Sequence, residues 1–228
     1  MKRPFDLILA SASPRRRELL ERMGLALVVA PVDLDETPLD GEKAGDCVRR
    51  LAAAKCDAAV AALPAGAGES NVDGGDETLT VLGADTIVIV DGQILGKPCD
   101  AAEARAMLGR LAGRRHEVTT AYRIWRGRPG GDGAGARIID RAVTTLVSFR
   151  LLQPGEVEAY VASGEWEGKA GGYAVQGIAA AFTTELRGSL TNVIGLPLAE
   201  VLADLLAAGA LPSYPRAAFG ISSAPGAP

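Results

Sequence analysis

The sequence predicts an α/β protein built on a mixed sheet flanked by helices, and three observations lead there. Short apolar runs bounded by turn residues alternate with segments of helical periodicity, the pattern of strand–helix units. Two long strand-like runs, 118–126 and 137–149, follow one another as a hairpin, which a purely parallel sheet does not contain. The chain also has the composition of a packed globular protein: of 228 residues, 48% are hydrophobic and 23% charged, with a mean hydropathy of +0.15.

Leu7–Ala10 is a compact apolar run and reads as a buried strand. Ser13-Pro14 sets a capping hydroxyl before a proline at the first helical position, opening a helix to about Met23. Residues 25–30 form the next strand, and 32–42 a polar, acidic loop. Residues 44–63 are alanine-rich, with Val48, Leu51, Ala52 and Cys56 at helical spacing. Pro, Gly, Asp and Glu make 64–77 a loop. Residues 78–90 form a long strand, and Asp91-Gly92 turns it into 93–95 as a hairpin. Asp100 caps a helix over 100–111. The strands 118–126 and 137–149 are joined through RGRPGGDGAGA, a hairpin tip. A short helix over 154–162, a strand over 179–186 and a helix over 198–208 complete the series. There is no internal repeat: residues 1–211 read as a single domain and 212–228 as a disordered tail.

Bulk properties exclude several functions. A net charge of −4 and a pI near 5.2 argue against a nucleic-acid polymer as partner, whereas a small anion needs only a local cluster of cations. Cys47, Cys56 and Cys99 are odd in number and match no metal spacing, so they read as reduced thiols of a cytoplasmic protein. The N-terminal apolar run is too short for a signal peptide, and none elsewhere reaches membrane-spanning length. There is no G-x-x-x-x-G-K-[ST], G-x-S-x-G or H-E-x-x-H. GDGAGA at 131–136 fits a dinucleotide loop only loosely, because a strand and not a helix follows it. His116, the sole histidine, argues against a Ser-His-Asp triad or a multi-histidine metal site and reads as a surface residue beginning a strand.

Five segments carry residues suited to chemistry. In Ser11-Ala12-Ser13-Pro14-Arg15-Arg16-Arg17 a strand leads straight into a capped helix start, where free backbone N–H groups attract anions and guanidiniums add donors. Two readings stand: a phosphate site, or a serine cap with a solvated basic first turn. Three arginines there oppose the macrodipole, which weighs against the second. Asp85 lies inside the apolar strand VLGADTIVIV and is not buried there without a charge partner. It is a metal ligand, a general base, or a carboxylate facing solvent; Gly83, two residues before it on the same strand face, predicts the close approach of a ligand. Lys55, Lys97 and Lys169 stand among small residues, and each alone reads equally as a solvated charge. Asp33, Asp35 and Glu36 form an acidic loop, either solvated or supplying a second carboxylate for a hard cation beside Asp85. The stretch 171–177 carries Tyr173 and Gln176, whose amide suits the donor and acceptor pattern of a base edge, although the stretch also reads as a turn into a strand. Together these residues point to phosphoryl chemistry with a metal and leave open which bond breaks.

LILASASPRRRELL, VLGADTIVIVDGQILGKP, GKAGGYAVQG and TNVIGLPL occur in that order. They closely resemble the Maf-like nucleotide pyrophosphatases, over about residues 5 to 208. The resemblance implies an elongated, twisted mixed sheet of the Maf/inosine-triphosphatase-like kind, with two lobes around a deep cleft. It implies a nucleotide diphosphatase, a hydrolase of phosphoric anhydride bonds that converts nucleoside triphosphates to the monophosphate and pyrophosphate. A divalent cation, Mg²⁺ or Mn²⁺, and a homodimer come with it. By resemblance Asp85 is the catalytic acid/base and a metal ligand, and Glu36 a metal or water partner. Ser13, Arg16, Lys55, Lys97 and Lys169 line the phosphate track. Arg15, Thr86 and Gln176 match the dTTP/UTP branch at the specificity positions, where the 7-methyl-GTP branch carries Trp, Gln and Glu. The rival readings are a pyrophosphatase for modified nucleotides such as 7-methyl-GTP and a nucleotide-binding regulator of cell division or septation. Segments 64–77 and 127–136 and the chain after 211 depart from the family as additions.

Overall fold

A computed structural model describes residues 5–64, 78–130 and 135–214. The loop expected over 64–77, the GDGAGA tip and the tail expected over 212–228 lie, apart from their ends, outside the described residues. The strands are β1 (Leu7–Ala10), β2 (Leu27–Val29), β3 (Leu79–Val90), β4 (Gln93–Leu95), β5 (Arg115–Gly127), β6 (Arg137–Phe149) and β7 (Thr183–Arg187). The helices are α1 (Pro14–Arg22), α2 (Ala44–Ala61), α3 (Ala101–Leu111), α4 (Pro154–Ala162), α5 (Leu190–Ile194) and α6 (Leu198–Ala207).

Local chemistry sets these boundaries. The Ser13 hydroxyl accepts from the Arg16 amide, and the Asp100 carboxylate from the Glu103 amide, so α1 and α3 begin where the sequence places their caps. Asp91 and Gly92 take φ of 53° and 73°, the paired left-handed conformation of a tight hairpin turn between β3 and β4. Two expectations need correction. Residues 179–182, expected as the start of a strand, belong to a 3₁₀ turn over Ile178–Phe182 that buries Ala179 and Phe182 three residues apart, and β7 starts only at Thr183. Strand β5 begins at Arg115, so His116 lies inside the strand and is buried at 2% exposure, not on the surface; it packs edge-on against Phe149 and Tyr173.

The seven strands form one mixed sheet ordered β2-β1-β3-β5-β6-β7, with β4 beside β3 off this path. β1 pairs parallel with β2 and β3, and the other pairings are antiparallel. The register explains the cleft. One edge of β3 is covered without a break by β5, from Leu79 to Ile89. The other edge pairs with β1 only as far as Gly83 and with β4 only from Val88 onward. Ala84, Asp85, Thr86 and Ile87 therefore have no strand on that edge, and the cleft opens there.

Two separate apolar cores lie on either side of this gap. One gathers Leu7, Leu9, Leu20, Leu82 and Ala84 with α6. The other gathers Val88, Val90 and Leu95 with α3, α4 and Tyr173. These are the two lobes expected around a cleft, sharing β3 and β5. No helix among the described residues is long and apolar enough to cross a membrane.

Candidate active site

The gap in β3 pairing opens into a cavity of about 540 Å³, lined by Ser13, Arg15, Arg16, Glu36, Lys55, Asp85, Thr86, Lys97, Lys169 and Gln176 among others. The ten residues to which the resemblance gives roles thus reach one site.

At the first corner β1 runs into α1. Arg16, buried, donates through Nε to the Gly195 carbonyl (2.8 Å), through Nη1 to Ser11 Oγ (3.0 Å) and through Nη2 to Thr86 Oγ1 (2.9 Å). It thereby ties the exit of β1, the open stretch of β3 and the turn after α5 together. All three acceptors are neutral, so the positive charge is not cancelled by direct pairing, and two of its five N–H donors remain for an anion. Burial pulls its pKa below the ordinary value, and the charge of Asp85 works in the opposite direction. Arg15 is half-buried and donates to the Gly168 carbonyl (3.3 Å), which links α1 to the far wall. Arg17 does not join them: it is exposed and pairs with Glu21 one turn along the helix. The three-arginine cluster of the sequence is in the fold a pair facing the cavity plus one surface charge.

The second corner is an alternating chain of charges. Lys55 Nζ donates to Asp85 Oδ1 (2.6 Å) and Glu36 Oε1 (2.5 Å), and Lys97 Nζ donates to Glu36 Oε2 (2.6 Å). Asp85 and Lys55 are each only 6% exposed. The charge partner that a buried Asp85 requires is therefore Lys55. Gly83 accounts for its reach. A Cβ at Gly83 would lie 2.5 Å from the Cys56 amide nitrogen and 2.6 Å from the Ala52 carbonyl oxygen. The absent side chain lets α2 rest its backbone directly on β3, which brings Lys55 to Asp85. The close neighbour of Gly83 is thus a helix and not the ligand that the sequence suggested. Burial raises the pKa of Glu36, but hydrogen bonds and charges from Lys55 and Lys97 outweigh it and bring it down to about 2. Of the other acidic-loop residues, Asp35 accepts from the Thr37 amide (2.9 Å), and neither it nor Asp33 lines the cavity.

The opposite wall runs from Glu167 through Gln176. Lys169 Nζ donates to the Glu167 carbonyl (3.2 Å); burial and then the charge of Arg15 lower its pKa. Tyr173 closes the wall from behind, its hydroxyl 2.8 Å from His116 Nε2. Gln176 is exposed on the wall, and its amide makes no hydrogen bond among the described residues. The Thr86 hydroxyl is already engaged by Arg16, Thr120 and the Gly195 carbonyl, so what Thr86 offers a ligand is the placement of Arg16 and a methyl group.

The sequence profile of the family described as Maf-like protein matches residues 6–208. The chain belongs to the Maf-like family. It is 48% identical over 215 residues to a protein of Cereibacter sphaeroides named dTTP/UTP pyrophosphatase, covering 94% of this chain and all of that protein. Proteins of the same name from Sphingopyxis alaskensis and Anaeromyxobacter dehalogenans are 50% and 46% identical, each across 89% of this chain and 96% and 94% of their own lengths.

Within this Maf-like fold, reading the sequence missed the residues that hold the site rather than face it. Thr120 lies opposite Thr86 on β5, bonded to it at 2.9 Å and to the Asn192 carbonyl at 3.1 Å. Helix α5 was not expected at all, although Ser189 caps it and Gly195, at φ 130°, ends it. That cap-to-glycine frame was the available signal.

Proposed function

We propose that this Maf-like protein hydrolyses dTTP and UTP to the monophosphate and pyrophosphate. The observation that carries the reading is Asp85: a carboxylate nearly sealed from solvent, held through one oxygen by Lys55, at the floor of a cavity whose rim is cationic. Its other oxygen, Oδ2, accepts no hydrogen bond among the described residues and is free for a water or a cation. A site that only binds an anion gains nothing from a buried negative charge. The names of the relatives supply the substrate class.

In this mechanism the triphosphate lies along Arg15, Arg16, Lys97 and Lys169, with the Ser13 end of α1 adding backbone donors. Asp85 orients a water and takes its proton as the oxygen adds at the α–β anhydride. The bond to the bridging oxygen breaks, and the electron pair leaves with pyrophosphate, whose growing charge the arginines and lysines stabilise. Lys55 fixes Asp85 by holding its Oδ1 and also bonds Glu36. A hard divalent cation, Mg²⁺ or Mn²⁺, would be held by Asp85 through its open oxygen, and by Glu36 only if Lys55 or Lys97 released one of the two oxygens that they now hold. Such an ion supplies charge neutralisation on the phosphate oxygens. Gln176 meets the base edge from the opposite wall.

The test is pyrophosphate release by the purified protein from dTTP, UTP, CTP, GTP and 7-methyl-GTP with Mg²⁺ or Mn²⁺. dTTP and UTP are expected to lead. A lead for 7-methyl-GTP overturns the substrate assignment. Tight nucleotide binding without turnover under either metal replaces the enzyme with a nucleotide-binding regulator.

A further inference from the structure

Gln176 stands on a short segment that is fastened on both sides from outside the cavity. Before it, the Ala174 amide donates to the Tyr160 hydroxyl (3.1 Å). After it, the Ile178 and Ala179 amides donate to Glu165 Oε2 (3.0 Å) and Oε1 (3.4 Å). Neither Tyr160 nor Glu165 lines the cavity. The two amides open the 3₁₀ turn Ile178–Phe182, whose N-terminal flank is Gly177, a residue with no side chain to cap it. Glu165 therefore caps that turn from a distance, with a carboxylate on N–H groups that otherwise lack an acceptor.

Gly177 shows how close this contact is. A Cβ there would fall 2.0 Å from Glu165 Oε2 and 2.4 Å from Cδ. The carboxylate thus lies directly against the backbone of the residue that follows Gln176. Since the Gln176 amide bonds to no other described residue, the backbone is what fixes the point from which this side chain reaches into the cavity.

We propose that Glu165 is a positioning residue for nucleobase selection: its carboxylate fixes the 176–179 backbone and thereby holds the Gln176 side chain within reach of the base. This rests on the reading above that Gln176 meets the base edge. Glu165→Ala is expected to raise KM for dTTP and UTP about tenfold, leave kcat within about threefold, and reduce the preference for dTTP over GTP by about the same tenfold factor. Glu165→Gln, whose amide oxygen still accepts one of the two N–H groups, restores most of the preference. Gly177→Ala, which pushes the carboxylate away without touching it chemically, reproduces the Glu165→Ala loss and also serves if that variant does not fold.

The deciding experiment measures KM, kcat and the dTTP-to-GTP preference for Glu165→Ala, Gln176→Ala and the double variant. Equal loss in the two single variants and no further loss in the double one supports the proposal. If Gln176→Ala abolishes the preference while Glu165→Ala and Gly177→Ala keep it, Glu165 has no positioning role although the base contact stands. If Gln176→Ala keeps the preference, the base contact itself is wrong and the proposal falls with it. A uniform drop in kcat for all nucleotides on Glu165→Ala, with the preference intact, marks a merely structural residue and overturns the proposal.

Discussion

The two walls of the cavity are built by different means. The wall made by β1, α1, α2 and β3 is held by charged side chains bonded to one another and to hydroxyls: Arg16 to Ser11 and Thr86, Lys55 to Asp85 and Glu36, Lys97 to Glu36. The opposite wall, from Lys169 to Ala179, is held largely through its backbone, whose amides donate to Tyr160 and Glu165 behind it. The difference follows from what each wall does. Phosphoryl chemistry needs fixed charges, and a buried charge stays in place only with partners. Recognition of a base edge needs an amide held within reach, which a rigid backbone supplies through bonds made behind the wall; Lys169 is the cation that this wall turns toward the cavity.

The comparison breaks most sharply at Asp85. Asp85→Asn keeps the shape and removes the basic oxygen, so kcat is expected to fall about 10³-fold while the fold persists. Pyrophosphate release within tenfold of the parent protein would remove Asp85 from the chemistry. Lys55→Met comes next. It leaves Asp85 buried without its ammonium, which is expected to lower stability by about 3 kcal/mol and kcat by about 10²-fold. Adding Asp85→Asn to Lys55→Met should recover stability, because the uncompensated charge is gone, and should not recover activity. Additive stability losses, read by urea denaturation, would show that the two side chains are not a pair.

This division also decides what was legible in the sequence. Charged residues in apolar settings advertise themselves: Asp85 in VLGADTIVIV and Lys55 in AAAKC are conspicuous because burial there demands a partner. Ser13-Pro14, Asp91-Gly92 and Asp100 announce caps and turns through local chemistry, and the structure puts them at those boundaries. What reads poorly depends on contacts between distant segments. Glu165 is an ordinary surface acid until residues thirteen positions later fold over it. Gly83 signals a close approach, yet whether a ligand or a helix approaches depends on where α2 docks. His116 is one residue into a strand whose start moved by three positions, enough to carry it from the surface into the core.

His116 also yields the smallest effect, one that separates the walls by acidity. It lies behind the backbone-held wall, bonded to the hydroxyl of Tyr173, and its Nδ1 is buried without a hydrogen-bond partner among the described residues. Burial lowers its pKa to about 4, against 6.5 for an unburied imidazole. The unfolded chain therefore takes up a proton that the folded chain refuses. This group leaves stability intact above about pH 6.5 and removes up to about 3 kcal/mol as pH falls toward 4. Glu36 on the charged wall works in a lower window. Its folded pKa of about 2 lies below the ordinary carboxylate value, so its contribution is complete above about pH 4.3 and is lost as pH falls toward 2. Acid thus acts on the backbone-held wall first and on the charged wall afterwards. Denaturant stability measured from pH 7.5 to 4 should fall more steeply for the parent protein than for His116→Gln, which cannot take up the proton. The variant's constant offset, from its altered packing, does not enter the slope. Parallel profiles over that range would mean that His116 titrates alike in both states and that its burial does not make the second wall acid-sensitive.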